Sequence, residues 1–215
     1  MSFTLINQRG RDCNSIRTFN LTTPTPVRGL AWDGSFLWAS GNGDLQQFDV
    51  STGALLKTVA TTGGETYDDL TFDGEYFWGP VSGNVGIGQI TREGQRINFI
   101  GSIFSASPIG IAHDGHFLWA LYVNAGSGFY DISQFDPQWL GISRTFSTGL
   151  ATVAGLIFDG EYLVTRGVVV VSQTFYYFTR EGQLVKTATE GSATGGTAFN
   201  GLAFDGEYFY QGLSV

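Results

Sequence analysis

Short apolar runs alternate with polar turn residues along the whole chain, and one small pattern returns five times. In each copy an apolar run meets an Asp-Gly pair, and a second run rich in Phe, Tyr, Leu and Trp follows. The copies are Gly29-Leu-Ala-Trp-Asp-Gly-Ser-Phe-Leu-Trp38, 69–78, 110–119, 155–164 and 201–210. Asp-Gly between alternating runs is a strong hairpin signal, because a two-residue turn needs a positive φ at both central positions. The pattern therefore predicts two antiparallel strands per copy, joined by a tight turn. With the turn at Asp159-Gly160, Phe158 faces Glu161, Ile157 faces Tyr162, Leu156 faces Leu163 and Gly155 faces Val164. In the first copy the same register sets Ala31 opposite Phe36 and Gly29 opposite Trp38, small against large. The fourth copy exchanges the small residue for Ile157 and the large one for Val164, which keeps the shared volume roughly constant.

The Asp-Gly pairs start at Asp33, Asp73, Asp114, Asp159 and Asp205, in steps of 40, 41, 45 and 46 residues. That spacing is the length of one four-stranded propeller blade. Two further strands per unit align as 45–53, 87–94, 132–139 and 175–182, with a fifth instance, Phe3-Thr-Leu-Ile-Asn-Gln-Arg-Gly10, at the N-terminus. The expectation is an all-β fold, a single five-bladed β-propeller over residues 1–215 with four-stranded antiparallel blades. The closing blade is shared between the termini, two strands from each, which covers edges that an open stack would expose.

Composition narrows the partners. The net charge is -8 and the 11 Lys and Arg are scattered, which argues against nucleic acid, whose phosphates call for clustered basic residues. Cys13 is the single cysteine, so no internal disulfide staples the fold, and no nearby His makes it a nucleophile. The start of the chain lacks a basic and apolar leader, and no apolar run is long enough to cross a bilayer. A cytoplasmic or virion-associated product without membrane insertion is expected.

The phrase Gly201-Leu-Ala-Phe-Asp-Gly-Glu-Tyr-Phe-Tyr210 resembles the Asp-Gly-x-[Tyr/Phe]-Leu-Trp repeat of NHL-like and YVTN-like β-propellers of bacterial and phage-associated proteins. The resemblance spans the chain and implies the propeller fold, while activities on such propellers range from lyases to scaffolds. The blade signatures of sialidases and of WD40 proteins are missing from the phrase.

Candidate chemistry is sparse. Four of the five inner-strand starts are glycine, Gly29, Gly110, Gly155 and Gly201, as crowding at a propeller axis requires; the fifth is Asp69. A five-bladed glycosidase needs opposed carboxylates from different blades, and only the second blade offers any, Asp68 and Asp69. The turn aspartates are expected to point to solvent, His113 to replace a core aromatic, and His116 to be exposed. No metal site, cofactor or catalytic set is expected. One asymmetric ligand site is proposed from Arg28, Tyr67, Asp68, Asp69 and Asn200, since aromatic rings with carboxylates and amides suit sugars. Trp139 in its turn and the apolar run 168–171, with Val169 and Val170, are candidate partner contacts. The function expected is a non-enzymatic recognition or structural module, a rigid platform for protein contacts or a homo-oligomeric assembly in a virion or at a cell surface. The alternative is a lectin-like propeller with one dominant site for surface glycans, ahead of a glycosidase or lyase.

Overall fold

The computed structural model describes residues 2–7, 15–20, 27–101, 103–138, 141–167, 173–190 and 197–214. In chain order the strands are β1 (Ser2–Asn7), β2 (Ser15–Asn20), β3 (Leu30–Trp32), β4 (Leu37–Ser40), β5 (Asp44–Phe48), β6 (Leu55–Ala60), β7 (Thr71–Phe72), β8 (Phe77–Pro80), β9 (Gly86–Ile90) and β10 (Arg96–Gly101). They continue as β11 (Pro108–His113), β12 (Leu118–Val123), β13 (Tyr130–Phe135), β14 (Ile142–Ser147), β15 (Val153–Phe158), β16 (Leu163–Gly167), β17 (Gln173–Phe178), β18 (Leu184–Glu190), β19 (Thr197–Phe204) and β20 (Tyr208–Ser214). They form five antiparallel four-stranded sheets. Blades 1 to 4 are β3 to β6, β7 to β10, β11 to β14 and β15 to β18, and blade 5 has the order β19-β20-β1-β2. The innermost strands β3, β7, β11, β15 and β19 touch in a closed ring, so the molecule is a five-bladed β-propeller.

Closure runs through the pairing of β1 with β20, from Ser2 opposite Leu213 to Asn7 opposite Tyr208. The two-plus-two blade expected from the repeat is therefore present.

In blades 1 to 4 the second and third strands are mostly buried and the outermost strand is mostly exposed. All four residues of β4 and of β8 are buried, because neighbouring blades cover both faces of a second strand. The outermost strands β6 and β14 are almost wholly exposed, and they carry Lys57 and Arg144 among their apolar residues. Between blades the apolar side chains form separate clusters. Trp78 with Ile111, Leu118 and Phe135 joins blades 2 and 3, and Trp119 with Leu156, Leu163 and Phe178 joins blades 3 and 4. Each such aromatic contributes roughly 1.5–3 kcal/mol through burial.

The hairpin register differs from the expected one. Phe158 lies opposite Leu163 and Ile157 opposite Val164, and the other four copies pair in the same way. The connection is thus a four-residue loop. In each copy the Asp Oδ1 accepts the backbone N–H groups two and three residues on, at 2.6–3.0 Å, so the side chain caps the turn. Only the following glycine needs a positive φ, +95° at Gly34. The directly facing pairs are Ala31–Trp38, Thr71–Trp78, Ala112–Trp119, Ile157–Val164 and Ala203–Tyr210. Small against large is therefore the rule, and the Ile157–Val164 exchange of volume occurs within one cross-strand pair.

Candidate functional site

The inner strands decide what the axis can offer. Asp33 N–H donates to Phe36 O at 3.1 Å and Ser40 N–H to Gly29 O at 3.0 Å, so alternate residues of the inner strand turn their backbone toward β4. Leu30 and Trp32 consequently direct theirs at the axis. By the shared register the axial residues of the other blades are Leu70 and Phe72, Ile111 and His113, Leu156 and Phe158, and Leu202 and Phe204. Glycine is needed above this level because the strands converge. A Cβ at Gly29 would lie 2.5 Å from the Asp69 Cα, and one at Gly201 would lie 2.6 Å from the Arg28 carbonyl oxygen.

Asp69, where the sequence breaks the glycine ring, has no exposed surface. Its Oδ1 accepts the Leu70 N–H at 3.0 Å, and its Oδ2 accepts those of Ile111 at 3.0 Å and Leu156 at 3.2 Å. One carboxylate thus joins the inner strands of blades 2, 3 and 4. Burial pushes its carboxyl well above the usual range, more strongly than those three N–H groups pull it down.

Of the other proposed site residues, Arg28 Nη1 pairs with Asp68 Oδ1 at 2.8 Å, with the side chains 42% and 17% exposed. Tyr67 is fully buried, and its hydroxyl donates to Glu65 Oε2 at 2.8 Å while Arg96 pairs with the other Glu65 oxygen. Burial, reinforced by Glu65, raises the Tyr67 phenol far above its ordinary value. The structure therefore brings Arg28 and Asp68 together at the surface and directs Tyr67 and Asp69 inward. Asn200 lies within β19, but its side chain is outside the described residues, as are Trp139 and the run 168–171 with Val169 and Val170.

At the other end of the axis the hairpin turns gather. Trp32, Phe72, His113, Phe158 and Phe204, one per blade and each half-buried, line a cavity of about 110 Å³. His113 stands among four aromatics, as its place in the repeat indicates. Burial lowers its imidazole below the usual value against the pull of Asp73 and Asp114. His116 is exposed.

Four of the turn aspartates, Asp33, Asp73, Asp114 and Asp205, do not point to solvent. Their Oδ2 atoms accept Trp38 Nε1 at 2.8 Å, Trp78 Nε1 at 2.7 Å, Trp119 Nε1 at 3.0 Å and the Tyr210 hydroxyl at 2.7 Å. The side chains of Asp33 and Asp114 are 5% and 3% exposed. Two of these carboxylates also receive an arginine from the next blade. Arg92 Nε lies 3.5 Å from Asp33 Oδ2 with its guanidinium 4.6 Å over the Phe72 ring, and Arg180 Nε lies 2.9 Å from Asp114 Oδ2 with its guanidinium 4.6 Å over Phe158. Burial alone would raise Asp114, but the Phe117 N–H, the Trp119 indole, the His116 N–H and Arg180 outweigh it and hold the carboxyl below its ordinary value. The sequence signals for these staples are the Trp or Tyr five residues after each of four aspartates and the Thr-Arg-Glu-Gly phrase at 91–94 and 179–182.

Neither a protein-family profile nor a curated protein sequence matches the chain. Among solved structures it is similar to Myxococcus xanthus glutaminyl cyclase, with a TM-score of 0.68 and 13% identity over 91% of this chain and 93% of that one. It is also similar to Kuenenia stuttgartiensis hydrazine synthase, with a TM-score of 0.54 and 15% identity over 94% of this chain. The chain spans 65% of the length of that hydrazine synthase chain. At such identities the likeness shows the β-propeller fold alone.

Proposed function

We propose that this chain is a non-enzymatic recognition module, a rigid disc that offers its faces to other proteins within an assembly such as a virion or a cell surface. Its kinship with NHL-like and YVTN-like propellers, suggested by the Asp-Gly phrase, belongs to the same proposal. The observation that supports the reading is the state of Asp69. Glycosidase chemistry on such a ring calls for carboxylates that face one another across an open site. Asp69 instead spends both oxygens on three backbone N–H groups and has no exposed surface. A lectin site at Asp68 has the Arg28–Asp68 pair in its favour, but Tyr67, the ring that would stack on a sugar, is buried.

The test is an array bearing peptides and glycans side by side, probed with the purified protein, with bound peptides recovered and weighed by mass spectrometry. Retention of peptides at unchanged mass supports recognition. Glycan binding that disappears in Asp68→Asn, or a peptide altered in mass, replaces the proposal with a lectin or an enzyme.

A further inference from the structure

Three of the boundaries between blades repeat one slot, which an arginine fills at two of them and not at the third. At the boundary of blades 1 and 2 the walls are the cross-strand row Ala31, Trp38 and Gln47 on one side and Phe72 on the other. Arg92 lies between them, paired with the turn carboxylate Asp33. The boundary of blades 3 and 4 repeats this with Ala112, Trp119 and Gln134 facing Phe158, and Arg180 pairs with Asp114.

At the boundary of blades 2 and 3 the row is Thr71, Trp78, Gln89 and Asn98, and the turn carboxylate is Asp73. Here the neighbouring blade has Asp136-Pro137-Gln138 in place of Thr-Arg-Glu, so Pro137 occupies the place of Arg92 and Arg180 in the repeat. His113 likewise stands at the repeat position of Phe72 and Phe158. A groove of about 470 Å³ opens, lined by Asp73, Tyr76, Trp78, Gln89, Asn98 and Gln138 among others. Among the described residues no Lys, Arg or His comes within 4 Å of the Asp73 carboxylate, whereas Asp33 and Asp114 each hold a guanidinium. Asp73 Oδ2 accepts the Trp78 indole at 2.7 Å, as Asp33 and Asp114 accept theirs.

We infer that the groove between blades 2 and 3 receives the guanidinium of an arginine side chain on a partner polypeptide. This rests on the recognition reading above and names the chemistry of the partner. The fold itself supplies the template, since the same slot twice accommodates a guanidinium that forms an ion pair with the turn carboxylate, its Nε nearest, and lies over a ring. A planar cation suits that geometry better than an ammonium does. Glu75 adds a second carboxylate at the mouth, and the Gln89 and Gln138 amides offer hydrogen bonds to the partner's backbone. The net charge of -8 favours the approach of a basic segment.

The experiment is an NMR titration of the intact protein with N-acetyl-L-argininamide, read at the Trp78 indole N–H, whose resonance Trp78→Phe identifies. N-acetyl-L-lysinamide and chitotriose are titrated in parallel. The expected result is saturable movement of that resonance by the arginine probe, about tenfold tighter than by the lysine probe. Binding should weaken about tenfold in Asp73→Asn, the loss expected for a charged hydrogen bond. Pro137→Arg, which restores the missing arginine, should abolish it while the far-UV spectrum and Tm stay close to wild type. A motionless Trp78 resonance, equal binding to Pro137→Arg, or movement by chitotriose in place of arginine overturns the proposal. Peptide retention that ignores arginine content would sink the slot and spare recognition, while arginine binding with no retained peptide would do the reverse.

Discussion

Replacing Asp69 by alanine should be among the most damaging single changes available to this molecule. The substitution deprives three backbone N–H groups, on Leu70, Ile111 and Leu156, of their acceptor in a region without solvent. A buried donor left unpaired costs roughly 1–3 kcal/mol. Three of them, partly relieved by water entering the space vacated, give a loss of about 3–6 kcal/mol. Against the 5–15 kcal/mol typical of a domain, that is a large share of the total. The assay is urea unfolding followed by tryptophan fluorescence, comparing the midpoint at unchanged slope. Asp68→Ala is the control, because it removes only the ion pair with the exposed Arg28 and should cost at most about 1 kcal/mol.

Acidity provides a second arm for the same residue. Asp69 keeps its proton in the folded state to higher pH than in the unfolded chain, because burial raises its folded value. Its contribution is therefore complete below the unfolded value and declines as pH rises from about 4 toward the folded value. An amide at this position has no such titration, so the deficit of Asp69→Asn relative to wild type should be largest near pH 4 and shrink toward neutrality. A loss under about 1 kcal/mol in Asp69→Ala, or a deficit in Asp69→Asn that grows with pH, would refute the idea of a carboxyl pin.

Arg180→Ala removes both the Asp114 pair and the stacking on Phe158. Because Arg180 is 44% exposed and screened, the expected loss is only about 0.5–1.5 kcal/mol, measured as a lower Tm that guanidinium chloride at low millimolar concentration partly restores. Trp38→Phe leaves the ring but deletes the 2.8 Å bond to Asp33, and should cost about 1 kcal/mol in urea unfolding, with no loss contradicting the tucked-in turn. Gly29→Ala forces a Cβ against the Asp69 backbone and should cost about 3 kcal/mol or prevent folding, whereas a neutral result would mean that the inner strands can spread.

The architecture was legible because five Asp-Gly phrases at blade spacing leave few alternatives, and because small residues facing large ones fixed the faces. The register departs from the sequence expectation for a local reason. Asp-Gly invites a two-residue turn, but here the Asp side chain caps a longer loop, and each partner moves by two residues. A shift of two preserves which side chains share a face, so small still meets large across the hairpin. Asp69 was picked out because it interrupts a ring of glycines. Its inward direction was not legible, since a carboxylate on a glycine-lined axis reads equally as ligand or as pin. Arg92 and Arg180 carry no legible signal of their role, because their partners lie about 60 residues away on another blade, and a repeat alignment reports what copies share rather than what they exchange.

The pairing of β1 with β20 joins positions some 200 residues apart, from Ser2 with Leu213 to Asn7 with Tyr208. Bringing such distant segments together costs about 5 kcal/mol in chain entropy beyond a constant contribution. The β1–β2 hairpin can pair on its own, but its ladder to β20 forms only when the two ends of the ring meet, so an unclosed disc is a crescent with two raw edges. Once latched, the crescent cannot peel from either tip, and opening requires the whole ring to be breached at one place. Slow, all-or-none unfolding is the natural behaviour of such a clasp, and a circular permutant that begins at β3 and completes blade 5 in continuous sequence should close sooner.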